Sequence, residues 1–110
     1  MRVKFPYTVH IHTKEGKDIS TYTDNMSRGG VGLTLKERLS PKDILTLKIY
    51  ISDVPVECKG EVVWVKERNS LMLEEVSFFD TGIEFKDIDD NSAVRIGSCL
   101  KELEQQTNTD

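Results

Sequence analysis

The chain of 110 residues holds only two cysteines, Cys58 and Cys99. Two isolated cysteines make neither a disulfide framework nor a zinc site. Cys58 lies in a strand-like alternation and Cys99 on a helical apolar stripe, so both read as small core residues. Long apolar runs are also missing. None approaches the roughly 20 residues needed to span a bilayer. The opening Met1-Arg2-Val3-Lys4-Phe5-Pro6 is too short and polar for a signal peptide, which gives a cytoplasmic expectation. An excess of positive charge is also missing, since 19 Asp and Glu outnumber 15 Lys and Arg for a formal net charge of −4. That balance argues against sequence-independent binding of DNA or RNA, which needs a basic face. The charge is uneven, however. Before residue 18, Arg2, Lys4, Lys14 and Lys17 face only Glu15, while acid gathers at Glu74, Glu75, Asp87, Asp89 and Asp90. A local anion site near the N-terminus is compatible with the global sign.

Catalytic and metal constellations are lacking too. Gly29-Gly30-Val31-Gly32 has no Gly-Lys-Ser/Thr ending and no helix after it, so it is no phosphate loop of a nucleoside triphosphatase. His10 and His12 share one strand face, but no third ligand stands at a telling spacing. A solvated strand face is the simpler reading. Ser27 has no assignable base, and the late acidic residues form no carboxylate dyad. The expectation is a chain that is not an enzyme and holds neither metal nor cofactor.

What is present is a series of short strands and one helix, in a length that makes one domain the default. Tyr7 to Thr13 alternates apolar and polar residues, the period of a half-buried strand. Lys14-Glu15-Gly16-Lys17 is a turn, and Ile19 to Thr23 a second strand. Asn25 to Gly30 reads as a turn, followed by a strand from Gly32 to Leu35. Leu39 to Asp43 is a break. Ile44 to Ile51 alternates again, and Asp53-Val54-Pro55 is a turn. Val56 to Val65 is the clearest strand, with Val56, Cys58, Val62 and Trp64 predicted on one face. Gly60 interrupts that face and marks a bulge or a close backbone contact. Trp64 could be a binding platform, but its place in the alternation predicts core packing. Lys66 to Ser70 reads as a loop. Leu71 to Phe79 has no clean period, and Thr81 to Phe85 is the last strand. Ile96, Cys99, Leu100 and Leu103 then fall at helical spacing, with Asp89, Asn91 or Ser92 as candidate caps. The pattern predicts a small β-barrel with the helix packed across one end.

The stretch Asn25-Met26-Ser27-Arg28-Gly29-Gly30-Val31-Gly32 packs an amide, a hydroxyl, a guanidinium and three glycines into eight residues. Such a segment can hold a base edge or an anion on side chains and exposed N–H groups. It can equally be a β-turn whose Asn and Ser satisfy their own backbone.

The order of landmarks resembles the PilZ domain family. Its Asp/Asn-x-Ser-x-x-Gly pattern is matched by Asn25-x-Ser27-x-x-Gly30, followed by Val31-Gly32. A Gly-x-Val-Val-Trp strand is matched by Gly60-Glu61-Val62-Val63-Trp64. Gly82-Ile83-Glu84-Phe85 matches the later glycine-apolar-Glu-Phe strand, and a helix follows. The resemblance implies a mainly β fold, a six-stranded antiparallel barrel with a C-terminal α-helix. It implies one domain over residues 1–110, with an arm at 1–6, the barrel at 7–86 and the helix at 91–104. It also implies a bacterial signalling module that binds the nucleotide second messenger cyclic di-GMP and relays it to a protein partner, as a monomer or weak dimer, with no DNA or RNA and no membrane insertion.

The ligand set implied by the resemblance is Arg2, Lys4, Asn25, Ser27, Arg28 and Gly30. Here the chain departs from the family. The family's Arg-x-x-x-Arg motif precedes the first strand, but Arg2 is followed four residues on by Pro6. Aligning Phe5-Pro6 with the family's Phe-Pro places the two arginine positions on Val3 and Tyr7. Losing one charge-assisted arginine contact, at roughly 1.5–3 kcal/mol, weakens binding by about 10–150-fold. Lys4 supplies charge without the planar fork. Arg28 is the candidate substitute, and Tyr7 could stack on a base. The alternative is a degenerate domain that binds no nucleotide and acts by protein contact, for instance with motility or pilus machinery.

Overall fold

The computed structural model describes residues 6–69 and 77–107. Arg2, Lys4, the stretch 71–76 and the side chain of Leu103 lie outside the described residues. The elements are β1 (Thr8–Thr13), β2 (Asp18–Met26), β3 (Gly30–Leu35), β4 (Ile44–Tyr50), β5 (Val56–Asn69), β6 (Ser77–Asp87) and α1 (Asp90–Thr107). The strands close into an antiparallel barrel in the order β1-β2-β3-β6-β5-β4. Closure gives each strand two neighbours and removes the free sheet edges.

The alternation read from the sequence builds the interior. Val9, Ile11, Val31, Leu33, Leu35, Leu45, Leu47, Ile49, Val56, Cys58, Val62 and Ile83 all point inward and are buried. Helix α1 adds Ile96, Cys99 and Leu100 to the same core. Both cysteines are free and buried, as their positions predict. Asp89 caps the helix, its Oδ1 accepting the Ser92 N–H at 2.7 Å. That bond holds the Asp89 carboxyl below the usual range.

The turn at Gly16 (φ 88°) takes a conformation that glycine adopts without strain. Its N–H bonds the Thr13 carbonyl at 3.0 Å and joins β1 to β2. Gly60 is both a bulge and a close approach. The β5–β6 register shifts between Lys59 and Gly60. A Cβ there would lie 2.5 Å from Ile83 Cγ2 and 2.9 Å from Leu47 Cδ1.

Three expectations need correction. Lys66 to Asn69 is not a loop but the end of β5, paired with Ser77 to Asp80. These four residues are exposed, so no core-facing alternation marks them as strand. Cross-strand bonds hold them instead, including Arg68 Nε to Asp80 Oδ2 at 3.2 Å and Ser77 Oγ to Glu67 Oε2 at 3.0 Å. Asn25 and Met26 belong to β2 and Gly30 to β3, so the turn shrinks to residues 27–29. Trp64 is not in the core; it is 43% exposed.

Candidate functional site

The displacement of Trp64 and the placement of Asn25 have one cause. Strict alternation after Thr23 would send Asn25 inward, and after Val62 would send Trp64 inward. A register shift lies between Thr23 and Asn25 in β2 and another between Val62 and Trp64 in β5. Each inserts one residue and re-aims the next side chain. Thr23, Met26 and Val62 stay buried, while Asn25 and Trp64 turn to the outer wall.

The two re-aimed side chains end one cross-strand row. Asn25 pairs with Gly32, Gly32 with Gly82, and Gly82 with Trp64. The glycines leave room that their neighbours fill. A Cβ at Gly32 would lie 2.8 Å from Asn25 Nδ2 and 2.9 Å from its Oδ1. A Cβ at Gly82 would lie 2.8 Å from Trp64 Cδ1 and collide with the indole nitrogen. The result is a polar and aromatic floor across four strands, with an amide at one end and an indole at the other.

The turn 27–29 borders this floor. Ser27 N–H donates to the Gly30 carbonyl at 2.9 Å, closing the hairpin. The Ser27 hydroxyl reaches the same carbonyl only at 3.4 Å, a long contact that holds it weakly. The Phe85 N–H donates to the Gly29 carbonyl at 2.8 Å, fixing the turn to β6. Gly30 is forced by packing. A Cβ there would run into the Ile83 carbonyl oxygen and sit 3.2 Å from its carbon.

The chain enters β1 beside this corner. Tyr7 N–H donates to Thr23 Oγ1 at 3.0 Å, and Thr23 N–H returns a bond to the Tyr7 carbonyl at 2.9 Å. The root of the N-terminal arm is thus bonded two residues from Asn25. The Tyr7 hydroxyl lies 2.8 Å from Cys99 Sγ on α1, and the ring packs against the core. Burial first, and Cys99 second, push the Tyr7 phenol above its ordinary range. Arg28, exposed at the turn tip, lies over α1 at Gly97, with Nη1 3.2 Å from a Cβ position there.

Further along the wall, Thr34 Oγ1 faces both Asp24 and Asp80, the latter at 3.2 Å. Arg68 grips Asp80 through Nε and Nη2, both at 3.2 Å, and lies 5.8 Å from the Phe78 ring centroid. Chiefly by that hydrogen bonding, Arg68 holds the Asp80 carboxyl below its usual value. A lowered carboxyl stabilises the fold above the ordinary carboxylate range and ceases to do so as pH falls through its folded pKa. The stability gap between wild type and Asp80→Asn is therefore expected to be largest near neutral pH. It should close on acidification below the ordinary carboxylate range, as read by urea unfolding at several pH values.

His10 and His12 are exposed on the β1 face, His10 tilted against Tyr50 and His12 Nδ1 2.7 Å from Asp18 Oδ1. Among the described residues no His, Cys, Asp or Glu group forms a metal cluster. No described helix is long and apolar enough to cross a membrane. The structure brings Asn25, Ser27, Arg28 and Gly30 together. Sequence reading missed the position of Trp64 and the contacts of Gly97 and Cys99 with the turn and arm. The spacing Gly32 and Gly82 carried a signal for the floor, since both glycines interrupt strands.

A model of the PilZ domain matches residues 1–102. No curated protein matches the chain by sequence. Several solved structures share the fold. The PilZ domain of YcgR from Escherichia coli, solved with c-di-GMP, superposes with a TM-score of 0.78 at 13% identity, over 97% of this chain and 91% of that one. MrkH of K. pneumonia gives 0.81 at 18% identity over 94% and 47%. The Bacillus subtilis inhibitor of motility, MotI, gives 0.74 at 21% identity over 98% and 50%. The chain spans about half the length of the last two.

Proposed function

The chain belongs to the PilZ domain family, and on that premise we propose that it is a receptor domain for cyclic di-GMP. Asn25, Ser27 and Gly30 present the edge that takes a guanine, and Arg28 with Arg2 and Lys4 supplies positive charge for the phosphates. The observation that carries this reading is the pair of bulges that turn Asn25 and Trp64 onto one glycine floor. A fold stabilised by core packing alone has no need to expose its single tryptophan. Structures of YcgR and of MrkH with c-di-GMP support the same ligand class.

The domain acts by binding rather than by catalysis, in the cytoplasm where a bacterial second messenger is read. Occupancy draws Arg2 and Lys4 into contact with the ligand beside the turn and alters the surface offered to a protein partner, a population shift set by differential affinity. The bonds from Tyr7 to Thr23 support this, because they root the arm beside Asn25.

Isothermal titration with cyclic di-GMP at low and moderate salt tests the reading. Saturable binding that weakens as salt rises is the expected result, since exposed cations facing phosphates are screened. Absence of heat at either salt, with unchanged Trp64 fluorescence, would sink it. That result would leave the alternative reading, a domain acting through protein contact alone, to which the departure from Arg-x-x-x-Arg at Pro6 also points.

A further inference from the structure

Arg28 is held differently from Arg68 and Arg95. Arg68 is held by Asp80, and Arg95 on α1 by Ser52 Oγ at 3.0 Å and the Val54 and Pro55 carbonyls. Arg28 forms no ion pair among the described residues. Its guanidinium rests instead on α1, with Nη1 3.2 Å and Cζ 3.4 Å from the Cβ position of Gly97. Gly97 is buried beneath it. Any side chain at 97 would contest that seat.

Two residues along the helix, Cys99 Sγ meets the Tyr7 hydroxyl. The turn tip and the arm root therefore both touch α1 within residues 97–99. Arg95, two residues earlier, ties the helix to residues 52–55. The helix is tied at Arg95 by polar bonds, while along 96–100 it is held by core packing and the Tyr7–Cys99 contact and covered at Gly97 by a guanidinium that makes no ion pair among the described residues.

We propose that Arg28 couples occupancy of the turn to helix α1, resting on Gly97 in the free chain and leaving it for a phosphate when an anionic dinucleotide binds. The proposal rests on the cyclic di-GMP reading and adds the route by which binding is reported. A phosphate offers the guanidinium a charge-assisted hydrogen bond that Gly97 cannot offer. The ligand thus favours the displaced position, and α1 loses cover along its 97–99 stretch. Coupling is reciprocal, so whatever loosens that stretch beforehand favours the ligand by the same factor.

Hydrogen exchange over α1 tests this in wild type, Arg28→Ala and Gly97→Leu, with and without saturating cyclic di-GMP. In wild type, ligand should speed exchange at residues 96–100 by about fivefold or more. Arg28→Ala should show the faster exchange without ligand, and ligand should add nothing. Gly97→Leu keeps the guanidinium but fills its seat, and should bind more tightly by the factor seen in exchange. Should that variant fail to fold, the comparison of wild type with Arg28→Ala decides. Ligand that binds by titration yet leaves α1 exchange unchanged or slower overturns the coupling and leaves the receptor reading intact. Absence of binding by titration overturns both.

Discussion

Gly30→Ala is expected to lower stability by about 3 kcal/mol or more, at the upper end of what overpacking costs. The added Cβ meets main chain, not a movable side chain. It would run into the Ile83 carbonyl oxygen and lie 3.3 Å from Glu84 Cα. Relief requires β3 to move away from β6, and the two are registered from Gly30↔Glu84 to Leu35↔Phe79. The bond from Phe85 N–H to the Gly29 carbonyl would be lost with that movement. Gly29→Ala is the control. Nothing lies within 4 Å of its Cβ position and its φ is not left-handed. Its effect should stay within about 0.5 kcal/mol. Urea unfolding followed by Trp64 fluorescence compares the two. Equal effects would show that glycine at 30 is not demanded by the β3–β6 contact.

Asn25→Ala and Ser27→Ala should each weaken cyclic di-GMP binding by about tenfold or more, the value of one good hydrogen bond to a charged or tightly held group. The expected cost to stability is smaller. Asn25 lies outside the apolar core, and the Ser27 hydroxyl makes a long 3.4 Å contact to the Gly30 carbonyl. The hairpin itself is closed by the Ser27 backbone, which alanine retains. Titration separates this loss from unfolding when the variants' melting curves match wild type. Variants that bind as tightly as wild type would reduce the turn to a structural corner.

Most of the fold was legible in the sequence because barrel strands with one buried face alternate with period 2. Val9 with Ile11, and Leu45 with Leu47 and Ile49, are buried where that period puts them. The helix stripe Ile96, Cys99, Leu100 was legible for the same reason, at period 3.6. The end of β5 was not. Lys66 to Asn69 face solvent, so their strand character comes from partners that the local sequence does not name. The candidate site was half legible as a cluster of residues. Asn25, Ser27 and Gly30 stood out as a pattern, and the structure brings them to one corner. Trp64 was misplaced because a bulge adds one residue without changing the apparent alternation of Val62-Val63-Trp64. The seat of Arg28 on Gly97 joins residues 69 positions apart in the chain, and no local pattern carries it.

The most direct test of the receptor account is a titration of the isotope-labelled chain with cyclic di-GMP, followed residue by residue in its amide spectrum. The account predicts saturable shifts gathered at Asn25 to Gly32, at Tyr7, and at the Trp64 indole N–H, with the His10 and His12 face of β1 unmoved. A spectrum that stays unchanged to saturating ligand, or shifts confined to the His10 and His12 face, would contradict it.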